Sequence, residues 1–147
     1  MKERHKAVPA SYLLLIKDGK ILLGRRCNTE YMNGMYMVPA GHVEAGEPLT
    51  AAMVREAMEE IGIAIHPEDL KLVHTMYRPK SDETGERLDF FFTAAKWEGI
   101  PVNNEPEKCD KLDWFQLENL PGNIVPYVKL AIENILKNIP LSEPEWK

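Results

Sequence analysis

"GHVEAGEPLTAAMVREAMEEIG", residues 41–62, reads as a glycine, a short acidic loop and a helix. Pro48 and Gly62 frame the helix: a fixed φ suits its first turn, and glycine supplies the residue past its end. At about 100° per residue, Val54, Ala57, Met58 and Ile61 share one face, which predicts packing on a sheet. Arg55, Glu56, Glu59 and Glu60 fall on the other side, and that side breaks two local rules. Glu56 and Glu60 are like charges four residues apart, costing the helix about 0.2–0.5 kcal/mol. They also crowd a helix C-terminus, which prefers cations. Arg55 can pair with Glu59 and offsets only part of this. Rules broken repeatedly at one spot mark functional sites. Hard divalent cations select carboxylate and carbonyl oxygens, so the crowded end reads as a metal platform, with the glycine loop offering a backbone carbonyl.

Working outward, "MYMVPAG" (35–41) is a short strand entering this stretch. Upstream, apolar runs at 8–16 and 21–24 are joined by "KDGK", and Asp18-Gly19 is a two-residue hairpin signal. Downstream, strands are predicted at about 70–77, over "RLDFFFTAAKW" (87–97) and over "LDWFQL" (112–117). The phenylalanines Phe90, Phe91 and Phe92 are assigned to the sheet core. Val128, Ile132, Ile135 and Ile139 recur at helical spacing and predict a helix over about 126–138. The tail "PLSEPEWK" (140–147) reads as frayed. Strands mixed with helices and several hairpins predict an α/β (α+β) fold: a mixed β-sheet sandwiched between α-helices, in one domain over residues 1–147.

Composition bounds the function. Apolar residues are 44% and charged residues 28%, ordinary values for a globular chain. A net charge of -5 argues against a broad nucleic-acid or membrane surface, which needs a basic stripe. It leaves room for a small anionic ligand, because a bound metal inverts the local field. Cys27 and Cys109 show neither a CxxC spacing nor a disulfide framework, so free thiols in a reducing cytosol are expected. "YLLLI" is too short for a signal-peptide core, and no apolar run approaches a membrane span. A cytoplasmic protein is the expectation.

Gly41, Glu47, Arg55, Glu56, Ala57, Glu59, Glu60, Gly62 and Ile63 together resemble the Nudix hydrolase signature, G-x5-E-x7-R-E-U-x-E-E-x-G-U with U apolar. The resemblance implies the Nudix fold and hydrolysis of a pyrophosphate bond in a nucleoside diphosphate linked to another group. By position it implies that Glu56, Glu59 and Glu60 bind Mg²⁺ or Mn²⁺, with the Ala40 carbonyl as a further ligand. Arg55 would hold Glu56 by an ion pair, and Glu47 would support the loop or, more weakly, a metal. Metals neutralise pyrophosphate charge and lower the pKa of a bound water. A carboxylate, Glu56 or one from a distant loop, then accepts the proton. No Ser-His-Asp or Cys-His arrangement offers a protein nucleophile.

Outside the box, "LLGRR" precedes it by the interval seen in MutT-type nucleoside triphosphate pyrophosphohydrolases, which implies Arg26 and Arg25 near substrate phosphates. The alternative for both is an exposed strand end. Arg78 and His74 lie on the following strand, as cleft or core residues. Glu105 or Glu107, in "NNEPEKCDKLDWFQL" (103–117), is a fourth acidic ligand, the base, or a solvated loop acid. "WFQL" resembles the run in enzymes that act on oxidised purine nucleotides, so Trp114 either stacks on a base or belongs to the core. The resemblance therefore points first to a (d)NTP or oxidised purine (d)NTP giving NMP and pyrophosphate. Tyr77 and Pro79, near the distance beyond the box that sorts family subgroups, keep ADP-ribose or dinucleoside polyphosphate open. A non-catalytic nucleotide-binding module commonly loses box glutamates, and this chain keeps them. The expected partner is a small-molecule nucleotide, without nucleic acid or membrane. A homodimer follows only from family habit.

Overall fold

The computed structural model describes residues 2–146. Its strands are β1 (Ala7–Leu14), β2 (Ile16–Lys17), β3 (Lys20–Arg26), β4 (Tyr36–Met37), β5 (Ala40–His42), β6 (Leu70–Arg78), β7 (Glu86–Ala94), β8 (Cys109–Gln116) and β9 (Leu141–Ser142). The helices are α1 (Leu49–Ile61) and α2 (Pro126–Leu136). Sheet order is β5-β1-β7-β6-β9, with β1 and β7 parallel and β1 and β5 antiparallel. A second, antiparallel sheet runs β2-β3-β4, with β8 paired to the free flank of β3. The expected mixed sheet is therefore two sheets.

Side-chain alternation along β1 sorts the core into two layers. Ala10, Tyr12 and Leu14 point to the α2 side and pack with Val128, Ala131 and Ile132. Leu13 and Leu15 point to the α1 side and pack with Met53, Ala57 and Ile61. Phe91 lies in the first layer, and Phe90 and Phe92 pack with the second. The helices cover opposite faces, as a sandwich requires. Asp18 and Gly19 close the β2–β3 hairpin, both with positive φ (53° and 74°).

Several boundaries moved. α1 ends at the predicted glycine: Gly62, at φ 69°, caps it with its N–H on the Met58 carbonyl. Ala57 and Ile61 are buried and Val54 packs beside them as expected, but Ala52 and Met53 are buried too while Met58 is exposed. The helix is thus rolled from the expected face, and the roll brings Glu56 and Glu60 to the edge of the core. α2 stops before Ile139, because Asn138 turns into the left-handed region (φ 58°). The tail is built into the fold. β9 pairs parallel with β6, and Trp146 stacks on Tyr77 with centroids 5.3 Å apart, its indole N–H donating to the Tyr77 carbonyl at 2.9 Å. His74 lies in the core: its Nδ1 donates to the Ile139 carbonyl, and its Nε2 meets Ser142 Oγ, both at 2.8 Å. Among the described residues, no helix is long and apolar enough to cross a membrane.

Candidate active site

A cleft of about 620 Å³ opens where α1, β5, the β3 end and the loop before β8 meet. α1 supplies Glu56, Glu59 and Glu60, β5 supplies Ala40, Gly41 and His42, β3 supplies Arg25 and Arg26, and the loop supplies Asn103, Glu105 and Lys108. The close approach of α1 to β5 depends on Gly41. A Cβ there would come within 2.6 Å of Glu56 Cγ and nearer still to its carboxylate. Glycine is the residue that lets this backbone lie against a glutamate.

Arg55 organises the acidic wall. Its Nε and Nη2 donate to the two Glu47 carboxylate oxygens at 2.9 and 3.0 Å, a bidentate fork. Nη1 donates to Glu56 Oε1 at 2.7 Å and reaches Glu59 Oε2 at 3.5 Å, and Nη2 also donates to the His42 carbonyl at 3.3 Å. Glu47 further accepts from the Glu44 N–H at 3.0 Å, tying the 44–47 turn to the helix. The Arg55 fork, followed by the Glu44 N–H, holds the Glu47 carboxyl down at about 2. Glu56 shows the opposite balance. Burial raises its proton affinity, Arg55 lowers it, and the Glu59 and Glu105 charges raise it again. Glu60 is pushed well above the carboxylate range by burial first and then by Glu56, while its Oε2 accepts the Ala40 N–H at 3.2 Å.

Burial and neighbouring carboxylates thus raise the proton affinity of both Glu56 and Glu60, a deficit of positive charge around them. That deficit, and a donor set of carboxylate oxygens, fits a hard divalent cation rather than a thiophilic one. Among the described residues, no three acidic, imidazole or thiol side chains are gathered closely enough to hold an ion as placed, since Glu56 is turned to Arg55 and Glu60 to Ala40.

Other expected site residues lie elsewhere. Glu47 grips Arg55 behind the wall and is not among the residues lining the cleft. Arg78 donates to buried Asp89 at 2.6 Å and lies 3.8 Å from the Tyr127 ring centroid, so its charge is spent in the α2-side core. The reason is register: Arg78 ends β6 beside β7, where Asp89 and Tyr12 complete a buried network. Tyr77 stacks on Trp146, outside the cleft. Trp114 pairs with Leu22 at the far end of β8 and lines a separate hollow with Trp97, Lys17 and Lys20. Arg25 and Arg26 do reach the cleft, but Arg25 Nε is held by Asp110 at 2.7 Å. Arg26 gives Nε to the Tyr31 carbonyl at 2.8 Å and Nη2 to Thr29 Oγ1 at 3.3 Å. Cleft residues missed by sequence reasoning are Asn28, Thr29, His42, Asn103 and Lys108. The available signal was the polar run 103–108, where Asn103 Oδ1 accepts the Glu105 N–H and Asn103 Nδ2 donates to the Cys109 carbonyl.

Comparison with known proteins identifies the family. The NUDIX domain profile matches residues 5–135, and the chain belongs to the Nudix family. Members of that family are hydrolases of phosphorus-containing anhydrides that generally need divalent metal ions. The structure resembles that of a MutT NUDIX hydrolase from Burkholderia pseudomallei (TM-score 0.78, 26% identity, covering 88% of this chain and 98% of that one). In sequence it is similar to the NAD-capped RNA hydrolase NudC of Klebsiella pneumoniae (strain 342), 33% identical over 122 residues, covering 82% of this chain and 44% of the relative. It is also similar to the ADP-ribose pyrophosphatase of Methanocaldococcus jannaschii, 32% identical over 108 residues, covering 74% of this chain and 61% of the relative. The chain spans less than half the length of the NudC relatives it matches.

Proposed function

We propose that this chain is a Mg²⁺-dependent pyrophosphohydrolase of nucleotides, acting first on a (d)NTP or oxidised purine (d)NTP to give NMP and pyrophosphate. The observation that carries the reading is the intact acidic wall, Glu56, Glu59 and Glu60, facing one cleft and organised by the Arg55 fork. Glu56, Glu59 and Glu60 would hold the metal, with the Ala40 carbonyl and Glu105 as further oxygen donors. When bound, the metal supplies charge neutralisation at the pyrophosphate and a more acidic water. The protein's own part is positional. Arg55 keeps Glu56 oriented, Gly41 gives it room, and the 103–109 loop lines the cleft with Glu105. Glu56, or Glu105 from the loop, would accept the proton of that water.

A second reading, ADP-ribose hydrolysis, is favoured by the Methanocaldococcus relative. Its cue in the sequence loses force, since Tyr77 is stacked on Trp146 and not in the cleft. A substrate panel with Mg²⁺ decides: canonical and oxidised (d)NTPs, ADP-ribose, NAD and diadenosine polyphosphates, with products separated by chromatography. The expected result is fastest turnover of a triphosphate with release of pyrophosphate. Preferred turnover of ADP-ribose replaces the first reading with the second, and no turnover of any compound overturns both.

A further inference from the structure

Three cations reach the cleft from the β3–β8 side, and two are engaged. Arg25 is held by Asp110, and Arg26 by Tyr31 and Thr29. Lys108 also lines the cleft, and it takes part in none of the ion pairs among the described residues. Its backbone is fixed while its side chain is free. The Lys108 N–H donates to the Glu105 carbonyl at 2.9 Å, and its own carbonyl accepts the Cys27 N–H at 2.9 Å. Asn28 Nδ2 donates to the neighbouring Glu107 carbonyl at 3.2 Å, stitching the same turn to the β3 end. The turn therefore presents Glu105 and Lys108 to one cavity, three residues apart, on a support bonded to the sheet.

We infer that Lys108 is a substrate-phosphate ligand of this cleft, its ammonium pairing with non-bridging oxygens of the substrate's pyrophosphate group. The inference rests on the pyrophosphohydrolase reading. Glu56, Glu59, Glu60 and Glu105 all line the cleft, and their field repels a polyphosphate. Phosphate oxygens outside a metal's reach need a protein cation. An unpaired ammonium on a flexible four-carbon stem supplies one without first breaking an internal ion pair. Arg25 is already paired with Asp110, while Arg26 has its Nε and Nη2 engaged by the Tyr31 carbonyl and Thr29 and keeps its Nη1 for a phosphate beside Lys108.

The test compares Lys108→Gln and Lys108→Arg with the unsubstituted chain, Mg²⁺ present throughout. Binding of inorganic pyrophosphate is measured by calorimetry, and KM and kcat on the best substrate of the panel. Lys108→Gln is expected to weaken pyrophosphate binding and raise KM by about tenfold, the loss of one charge-assisted hydrogen bond. kcat should stay within about threefold, and Lys108→Arg should recover most of the affinity. The side chain is exposed and its backbone bonds survive substitution, so folding is unaffected. Pyrophosphate affinity and KM within twofold of the unsubstituted values would overturn the inference, as would a fall in kcat at constant KM. Because pyrophosphate binding is read without turnover, a chain that hydrolyses nothing yet loses pyrophosphate affinity on Lys108→Gln would sink the hydrolase reading alone.

Discussion

Gly41→Ala tests the packing of α1 against β5 directly. The added methyl would stand 2.6 Å from Glu56 Cγ, where ordinary contact begins at 3.4 Å. Cγ must therefore withdraw by about 0.8 Å, and the carboxylate by more, to restore a normal contact distance. Withdrawal pulls against the 2.7 Å bond from Arg55 Nη1, so the Glu47–Arg55–Glu56 chain shifts together or that bond breaks. A displacement near 1 Å in a reacting group costs on the order of 100-fold in rate. Overpacking costs about 1–3 kcal/mol, and the half-buried setting of Gly41 places this case at the low end. At about 2–4 °C per kcal/mol the melting temperature should fall by only a few degrees. The assay is kcat/KM at saturating Mg²⁺ beside a thermal melt. Gly46→Ala is the control: in the loop between β5 and α1, at φ 76°, its added methyl has nothing within 4 Å, so it should strain the turn without touching Glu56. Gly41→Ala activity within threefold of the parent, in a folded protein, would refute the reasoning.

Glu56→Gln should lower kcat/KM by at least about 100-fold with the fold intact, through loss of a metal ligand or base; a near-parental rate would remove Glu56 from the mechanism. Glu47→Gln tests the fork by pH. Because the folded Glu47 carboxyl titrates at about 2, below its ordinary 4.5, its stabilisation is fully present above about 4.5 and is lost as pH falls towards 2. Melts of parent and variant should thus differ at pH 7 and converge between pH 4.5 and 2, whereas a constant gap would show that the charge is not responsible. Arg78→Ala should destabilise the chain by about 3–5 kcal/mol, because it leaves fully buried Asp89 without its cation. Chemical denaturation measures this, and a loss below 1 kcal/mol would contradict the buried-pair assignment.

What the sequence disclosed follows the range of each signal. The α1 frame, the Asp18-Gly19 turn and the longer strands rest on local chemistry: a capping glycine, a two-residue turn, runs of apolar residues. Those elements were legible. The roll of α1 was not, because Met53 and Met58 are equally apolar, and only the sheet decides which one is buried. The tail misled because "PLSEPEWK" carries turn and charged residues, while its anchoring comes from distant groups, Tyr77 and His74. Site residues divide in the same way. Glu56, Glu59, Glu60 and Glu105 share a cleft. Arg78 and Tyr77 follow the box by a suggestive distance, yet strand register turns one to Asp89 and the other to Trp146. Lys108 has only the polar run 103–108 as a local mark, because its place in the cleft depends on the turn being bonded to the β3 end.

The allocation of one guanidinium explains the electrostatics of the wall. Arg55 gives two bonds to Glu47, one short bond to Glu56 and a long one to Glu59, and none to Glu60. Two of its bonds therefore serve a carboxylate that does not line the cleft. An arginine meant to neutralise the site would face Glu60, the most strongly shifted acid there. Its actual placement fixes the 44–47 turn and the Glu56 rotamer while leaving the inner acids short of positive charge. A cation binding there must displace whatever proton Glu60 retains, so affinity for the ion rises with pH across the range in which Glu60 titrates. On the proposed reading Arg55 is a positioning residue, and the charge deficit it leaves would favour a divalent ion in the cleft.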